Sequence, residues 1–367
     1  MRIIKILGKI LLVLLLLNLF IIAFFWIKNE NYLESPNQKN LSYLKNNKKV
    51  ILENRDRLNG FFDQEFYDSD VFLLGENHGF AEVQNIDFEL LKHLNQKIGL
   101  KYYIAEMDSI RSKKLNQYLT DSIKNNSILR SVVIDIKQRI PQQSSQQLLE
   151  KWEKIYDYNK TLPDSSKITV LGIDKNFDDD SRELSRDSMM TLNLKSIINK
   201  RHLENEKFYG LFGYSHVLQE SYSESNFRPF AVRIKSFIKK NKIKSLVCYN
   251  IDSEVYLPEN DQFPAPEDHK LTILNEDGPI MLVKGINDLR EITQPNSVTI
   301  FDLDNTNSPY RENQYLGGIK VNFFGPDVIT KSSDVSTTDV LQYVFLIRNS
   351  KALEPIQTID NLVGGHE

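Results

Sequence analysis

Short runs of consecutive apolar residues alternate along the chain with longer stretches in which apolar residues recur every three or four positions. The first run, VFLL at 71–74, precedes a segment from Ala81 to Ile98 with apolar positions at helical spacing, and Gly99 lies just beyond it. A short continuous run predicts a buried strand, and helical spacing that ends at a glycine predicts an amphipathic helix with a C-cap. The folded body therefore begins with a strand and a helix.

The same alternation continues through much of the chain. Further strands are predicted at YYIA (102–105), ITVLGI (168–173), FYGLFG (208–213), SLVCY (245–249), SVTIFDL (297–303) and LQYVFLI (341–347). Helical stretches separate most of them, and a helical insertion at 110–160 is longer than a crossover requires. Short buried strands that alternate with helices are typical of parallel sheets covered on both faces. The predicted fold is an α/β domain with a mostly parallel central sheet, flanking helices and a helical insertion.

The N-terminal segment has a different pattern. An apolar run extends from Ile10 to Ile27 with Asn18 as its only polar residue, which is just long enough to cross the hydrocarbon core of a bilayer. Three cations precede the run, whereas Lys28 alone follows directly, so the N-terminus is expected to be cytoplasmic and the body exported. A cleaved signal peptide is the alternative, although no small-residue cleavage site follows the run.

These patterns divide the chain into three parts. Residues 1–28 form a membrane anchor or signal, residues 29–50 are rich in Asn and Lys and predict a polar linker that enters a helix near Leu41, and residues 51–367 form the α/β domain. The membrane is an expected partner through residues 10–27. A net charge of −3 gives no indication of a nucleic-acid partner. The one cysteine, Cys248, lies in an apolar run and is expected to be a core thiol.

Polar residues follow the predicted strands at their carboxyl ends. In chain order they include Glu76 and His78, Glu106, Asp174, and His216. Because the carboxyl ends of parallel strands share one edge of a sheet, we expect these side chains to line one crevice. A neutral imidazole can take a proton from water, a carboxylate can orient it, and a second imidazole can donate to the oxyanion or to the leaving group. The set therefore predicts hydrolysis by a His-activated water.

Two other interpretations of these residues stay open. The GENHG stretch at 75–79 can be a strand-to-helix turn in which the glycines and a capping side chain serve structure alone. The same histidines and glutamates also suit a divalent metal, because imidazole nitrogens and carboxylate oxygens are its usual ligands. The chain lacks the His-x-x-x-His spacing that would favour a metal site on one helix.

Some other candidate residues are given a surface or structural interpretation. Four histidines, which lie among charged residues or in the tail, are expected to be solvated: His93, His202, His269 and His366. The stretch TIFDLDNT at 299–306 resembles the Asp-x-Asp-x-Thr loop of haloacid-dehalogenase-like phosphatases. Too few residues follow this stretch to supply the remaining strands of that fold.

Five motifs in order resemble the erythromycin-esterase-like and ChaN-like superfamily, over about residues 70 to 350. LLGENHGFAE is similar to the Gly-Glu-x-x-His-Gly-x-x-Glu opening, with the shorter Glu-to-His spacing of the ChaN-like branch. YYIAEMD and VLGIDK resemble two later strand ends, and SRDSMMTLNL resembles the Arg-Asp-x-x-Met-Ala-x-Asn helix. LFGYSHV resembles the strand that ends in the second histidine, where this chain has His216 and the esterases show His-Asn-x-His.

The resemblance implies an extracytoplasmic hydrolase that acts on an ester or lactone of a small molecule, with no cofactor predicted. The implied catalytic residues are Glu76, His78, Glu106 and His216, and the implied substrate-binding residues are Glu82, Asp174 and Arg186. A related branch implies an alternative, a metal-dependent hydrolase or peptidase of TraB-like type in which the four catalytic residues would bind the metal. The ChaN-like branch implies another, a non-enzymatic protein that binds haem or a similar ligand.

Overall fold

The computed structural model describes residues 2–51, 58–178, 184–221, 227–238, 242–259, 265–273, 281–321, 327–328 and 334–356. His366, one of the four histidines that are expected to be solvated, lies outside the described residues. The helices are α1 (Arg2–Leu33), α2 (Gln38–Asn46), α3 (Gln64–Tyr67), α4 (Ala81–Ile98), α5 (Ser109–Thr120), α6 (Asn126–Asp135), α7 (Gln146–Lys160), α8 (Arg186–Arg201), α9 (Tyr214–Val217), α10 (Phe230–Ile234), α11 (Ile286–Glu291) and α12 (Thr337–Val340). The strands are β1 (Lys48–Ile51), β2 (Val71–Glu76), β3 (Tyr102–Ala105), β4 (Thr169–Gly172), β5 (Phe208–Gly213), β6 (Ile243–Ile251), β7 (Ser253–Tyr256), β8 (Lys270–Ile273), β9 (Met281–Val283), β10 (Val298–Asp302), β11 (Ile319–Val321), β12 (Asp327–Val328) and β13 (Tyr343–Arg348).

Within the described part of the chain, the central sheet has eight strands in the order β1-β10-β13-β6-β2-β5-β3-β4. The strands from β13 to β4 are parallel to their neighbours, whereas β1 and β10 add an antiparallel edge. The predicted α/β fold with a mostly parallel sheet is therefore confirmed. Because β10 runs antiparallel to β13, the TIFDLDNT stretch ends at the edge of the sheet opposite to the carboxyl ends of the parallel strands. There Asp304 pairs with Lys244 near the amino end of β6 (3.4 Å).

Helices cover both faces of this sheet. Leu90 of α4 and Trp152 of α7 belong to one buried apolar cluster, with which α5 and α6 also pack. Leu194 of α8 and Leu289 of α11 belong to the cluster on the other face. The predicted insertion at 110–160 therefore forms a helical layer on the same face as α4. Burial on both faces explains why the strands are apolar throughout rather than alternating.

Helix α4 shows how the apolar spacing determines local structure. Its bounds are those that the sequence predicts, and Gly99 ends it with a φ of 66°, a left-handed conformation that glycine adopts without strain. Val83, Ile86 and Leu90 lie on one buried face. Full burial of a Leu side chain contributes roughly 2 kcal/mol, so packing rather than helix propensity holds this helix on the sheet. Helix α4 fixes the position of the turn that precedes it.

The segment at 29–50 is folded, which corrects the prediction of a polar linker, while the helix expected near Leu41 is present as α2. Helix α1 continues to Leu33, α2 buries Leu41 and Leu44, and β1 forms the edge of the sheet. The polar composition is misleading because some of the polar side chains are used inside the fold. Asn40, for example, is buried and donates from its side chain to Asp288 (2.7 Å).

Two single-residue predictions have different outcomes. Cys248 is buried within β6, as predicted. His93 is only 3% exposed and its Nε2 lies 2.8 Å from the Tyr67 hydroxyl, so the prediction that it is solvated is wrong. His93 is three residues after Leu90 and therefore shares its buried face of α4, whatever the charge of its sequence neighbours.

Among the described residues, one helix, Ile4–Leu33, is long and apolar enough to cross a membrane. Most of its side chains are exposed, which is unlike a core helix of a globular domain. The predicted N-terminal apolar helix is therefore present, and it passes directly into the folded body.

Candidate active site

The first two candidate residues lie at the carboxyl end of β2. This strand continues two residues beyond VFLL and ends at Glu76, whose Oε1 is 3.1 Å from Nδ1 of His78. Gly79 then turns the chain into α4 with a φ of 119°, and a Cβ at this position would lie 2.5 Å from Val255. The glycine is therefore required by the turn, and the turn presents His78 beside the strand end. The side chain of Glu76 is buried, whereas that of His78 is about one-fifth exposed.

Gln143 joins this pair from the helical insertion. It ends a short 3-10 helix, Pro141–Gln143, and its side-chain Nε2 donates to Oε1 of Glu76 and lies 3.4 Å from Nδ1 of His78. Glu76 thus accepts hydrogen bonds from the amide and from the imidazole at one oxygen. The sequence prediction misses Gln143, which lies in the polar stretch PQQSSQQ and carries no distinguishing local signal.

Glu106 follows directly after β3 and is 5% exposed. Its Oε2 accepts a hydrogen bond from the backbone N–H of Gly213 (2.7 Å), and its Oε1 lies 3.1 Å from Nη2 of Arg186 and 3.4 Å from Nε2 of His216. Burial alone raises the pKa of Glu106, but the positive charges of Arg186 and His216 outweigh it and the net effect is a lowered pKa. Glu106 is therefore a buried carboxylate that stays ionised at neutral pH.

Arg186 connects Glu106 to Asp174. The Nε and Nη2 atoms of Arg186 donate to Oδ2 of Asp174 at 2.8 and 2.6 Å. Burial opposes the charged form, but the two carboxylates outweigh it and raise the pKa of Arg186 above its usual value. Asn193 on the same helix donates to the backbone oxygen of Asp174 (3.2 Å) and so holds the end of β4 against α8. The fixed guanidinium places a permanent positive charge beside Glu106.

His216 lies on the short helix α9, directly after β5, and is 9% exposed. Its Nδ1 is 2.8 Å from Oδ1 of Asp187, and its Nε2 points towards Glu106. Burial lowers the pKa of His216, but the hydrogen bond to Asp187 and the charge of Glu106 have the larger effect and raise it. Asp187 lies in the SRDSMMTLNL stretch but is not among the predicted site residues, and an acidic residue in the first turn of a helix is also stabilised by the helix dipole.

Gly213, the last residue of β5, lies between the two groups. A Cβ at this position would be 3.4 Å from Nε2 of His78 and 3.4 Å from Cδ2 of His216, so these two ring atoms are within about 7 Å of each other. The structure thus brings together the residues predicted at four strand ends, and Arg186 with them. The side chain of Glu82, the remaining predicted residue, accepts a hydrogen bond from Asn85 (3.0 Å) on α4.

The donor atoms in this group do not fit a divalent metal. Among the described residues, no group of three or more His, Cys, Asp or Glu side chains is arranged to hold one. The guanidinium of Arg186 lies within the set and contacts Glu106 at 3.1 Å, where it would repel a second cation. Both ring nitrogens of His216 already face carboxylates, Asp187 and Glu106. The charges of Glu106 and Asp187 are thus already balanced by nitrogens of the protein.

Known proteins resemble this chain in structure rather than in sequence. No family model matches the sequence, and no curated protein sequence matches it either. A solved protein from Bacillus cereus is similar with a TM-score of 0.61 at 14% identity, covering 88% of this chain and 100% of its own. A succinoglycan biosynthesis protein is similar with a TM-score of 0.59 at 12% identity, covering 86% and 98%.

An erythromycin esterase, EreC in an open conformation, is similar with a TM-score of 0.54 at 11% identity, covering 80% of this chain and 94% of the esterase. The chain shares its fold with an erythromycin esterase. The sequence motifs predict a relationship to such esterases, and the structural similarity supports it at the level of the fold. At these identities the likeness extends to architecture, and activity has to be argued from the site.

Proposed function

We propose that this protein is a membrane-anchored, extracytoplasmic hydrolase in which His78 activates a water molecule to attack an ester or lactone. The observation that carries the proposal is the Glu76–His78 pair at the carboxyl edge of the sheet, next to a second histidine that is held by carboxylates. Glu76 accepts from Nδ1 of His78 and leaves Nε2 as the nitrogen that can take a proton from water.

The second group supplies positive charge on the other side of Gly213. The raised pKa of His216 favours the imidazolium. Asp187 holds its Nδ1, whereas its Nε2 lies 3.4 Å from Glu106, longer than an ordinary hydrogen bond, and can donate a proton to the leaving group or a hydrogen bond to the oxyanion. Glu106 and Asp187 hold this ring in place, and Arg186 keeps Glu106 ionised. One histidine thus acts as the base and the other as the acid, because their surroundings differ. Asp174 acts through Arg186, as a positioning residue rather than a direct substrate contact.

The N-terminal helix supports an anchor rather than a cleaved signal. α1 continues without a break from the apolar run into the domain, where Leu33 is buried in the apolar cluster. Cleavage after the apolar run would separate this helical end from the part of the helix that precedes it. The excess of cations before the run favours a cytoplasmic N-terminus and places the domain on the opposite side.

Hydrolysis of a panel of p-nitrophenyl esters and lactones by the full-length protein in detergent tests this proposal. We expect hydrolysis of at least one ester class, undiminished after treatment with EDTA and 1,10-phenanthroline. A stoichiometric metal ion whose removal abolishes the activity would instead establish the metal-dependent alternative. Absence of hydrolysis across the panel, together with a Soret shift on titration with micromolar haem, would favour the ligand-binding alternative.

A further inference from the structure

The membrane helix is packed against the domain instead of being joined to it by a free segment. Phe25, Asn29 and Tyr32 are partly buried, and Leu33 is 2% exposed, a spacing that places them on one face of α1. Leu33 packs in the same apolar cluster as Val283 of β9. The last turn of α1, with Tyr32 and Leu33, thus packs on the domain.

Polar contacts fix the point where α1 ends. The backbone N–H of Gly285 donates to the oxygen of Leu33 (3.2 Å). Glu34 turns the chain with a φ of 60°, and its carboxylate pairs with Lys284 (3.2 Å) and accepts a hydrogen bond from the Tyr315 hydroxyl. A non-glycine residue at positive φ is uncommon and persists where its surroundings hold it. This junction, residues 33–34 with 284–285 and Tyr315, therefore holds the helix in one position on the domain.

The junction is connected to the candidate active site. The backbone N–H of Leu316 donates to the oxygen of Lys284 (2.8 Å), and the oxygen of Leu316 accepts from the Tyr249 hydroxyl. The Tyr249 hydroxyl is 3.0 Å from that of Tyr214, the residue directly after Gly213. These hydrogen bonds link the end of the membrane helix to the turn that carries His216. Leu33 and Tyr214 also belong to the same apolar cluster, so the junction and the short helix that carries His216 lie on the same face of the sheet.

The length of α1 places the domain close to the bilayer. Leu33 is six residues beyond the end of the apolar run, and a helix rises about 1.5 Å per residue, so the junction is roughly 9 Å from the hydrocarbon. The headgroup layer on one side of a bilayer is roughly 5–7 Å thick. The junction thus lies just beyond the headgroup layer, and α1 is helical from the apolar run to the junction.

We propose that the substrate is an acyl ester carried by an amphiphile of the bilayer rather than an ester dissolved in water. This inference rests on the proposed function. A flexible tether would be enough to keep a hydrolase near a membrane, whereas a docked helix also fixes which side of the domain faces the lipid. Holding the site next to a two-dimensional pool of substrate raises the effective concentration of esters in that pool and leaves the rate with soluble esters unchanged.

The test uses the full-length protein in phosphatidylglycerol–phosphatidylethanolamine vesicles. It compares the hydrolysis of p-nitrophenyl acetate in solution with that of a fluorogenic diacyl ester in the same vesicles. A variant with twenty Gly and Ser residues between Ile27 and Lys28 releases the domain from its fixed position at the surface and keeps every residue of the junction. The matched control carries the same twenty residues before Arg2, on the other side of the membrane.

The readout is the ratio of the vesicle-ester rate to the soluble-ester rate, so that a general loss of folded protein cancels. We expect the insertion after Ile27 to lower this ratio at least tenfold and the insertion before Arg2 to leave it unchanged. Soluble-ester hydrolysis without vesicle-ester hydrolysis, or an equal ratio in both variants, would overturn the inference and leave the proposed function standing. If neither ester is hydrolysed, the proposed function fails and this inference fails with it.

Discussion

Replacing Arg186 by Met tests whether the charges in the site depend on one another. Met is about as long as the aliphatic part of Arg and retains its apolar contacts, but it removes the positive charge between Glu106 and Asp174. Both carboxylates are buried, and Arg186 contacts each of them, at 3.1 and 2.6 Å. The substitution therefore leaves two buried carboxylates without their principal cation.

The magnitude follows from these contacts. Breaking a buried ion pair by removal of one partner costs roughly 3–5 kcal/mol, because the remaining charge is buried and unpaired. Arg186 is about one-quarter exposed, and Glu106 keeps its hydrogen bond from Gly213, so water and the backbone will compensate in part. We therefore expect the lower end, about 3 kcal/mol lost from the free energy of unfolding at pH 7.

The matched control is Arg186→Lys, which keeps the charge and loses the planar fork. Lys can reach one carboxylate but cannot donate to Asp174 through two nitrogens, so its loss should be smaller than that of Arg186→Met. Urea denaturation followed by circular dichroism measures both variants. Because the wild-type site holds the pKa of Glu106 below its usual value, this residue contributes stability above the unfolded pKa of about 4.3 and loses it as the pH falls through the folded value.

In Arg186→Met, burial is no longer opposed by the Arg charge, and the pKa of Glu106 rises. The variant is then penalised by an ionised Glu106 at high pH and relieved when this residue takes a proton. The difference in unfolding free energy between wild type and variant should therefore be larger at pH 7.5 than at pH 5. A loss below about 1 kcal/mol, or a difference that is equal at both pH values, would refute the reasoning.

Other substitutions make separate predictions. His216 has a raised pKa, so its contribution is complete below the unfolded value of about 6.5 and is lost as the pH rises through the folded value; the stability difference between wild type and His216→Asn should shrink from pH 6 to pH 9 in urea denaturation. Gln143→Leu should lower kcat/KM for ester hydrolysis roughly tenfold, because Glu76 loses a hydrogen bond that helps to orient it, whereas an unchanged kcat/KM would remove Gln143 from the site. Lys151→Met leaves the buried carboxylate of Asp87 without its cation at 2.6 Å and should cost about 3–5 kcal/mol in the same urea assay, with the double variant Asp87→Asn/Lys151→Met recovering part of it.

The sheet and its order of elements are largely predictable from the sequence, because buried strands and amphipathic helices have local apolar patterns. The run at 71–74 and the spacing in α4 show this most clearly. The end of β2 is less predictable: the strand extends through Gly75 and Glu76, because backbone pairing with β5 continues past the last apolar side chain. Strand bounds thus depend on neighbours that local sequence does not reveal.

The site is partly predictable, because its residues follow strands that the sequence predicts. Topology alone places the strand ends together, so Glu76, His78, Glu106 and His216 can be proposed from their positions after apolar runs. Gln143 cannot, because it reaches the site from the helical insertion through a contact with Glu76 across 67 positions of sequence. The helical insertion is recognisable as extra sequence, but its contact with the site is a property of packing.

The segment at 29–50 is predictable only in its helix near Leu41, and its packing on the domain is not. Its asparagines and lysines have the composition of a linker, yet Asn37 caps α2 and its backbone N–H donates to Asp288 (2.7 Å). The sequence does not distinguish a polar residue that hydrogen-bonds to a distant part of the chain from one that hydrogen-bonds to water. Glu34 is another such residue, because its partners Lys284 and Tyr315 are distant in sequence. The sequence alone therefore does not predict the junction or the position of the domain on the membrane.

The central claim is that His78 is the base that activates water. The ratio of kcat/KM for soluble-ester hydrolysis between His78→Asn and the matched control His202→Asn, an exposed histidine at the end of α8, tests it most directly. Loss of a general base typically costs about 10²–10⁴-fold, so we expect the first variant to fall by at least a hundredfold and the second to match the wild type. Equal activity in the two variants would contradict the account.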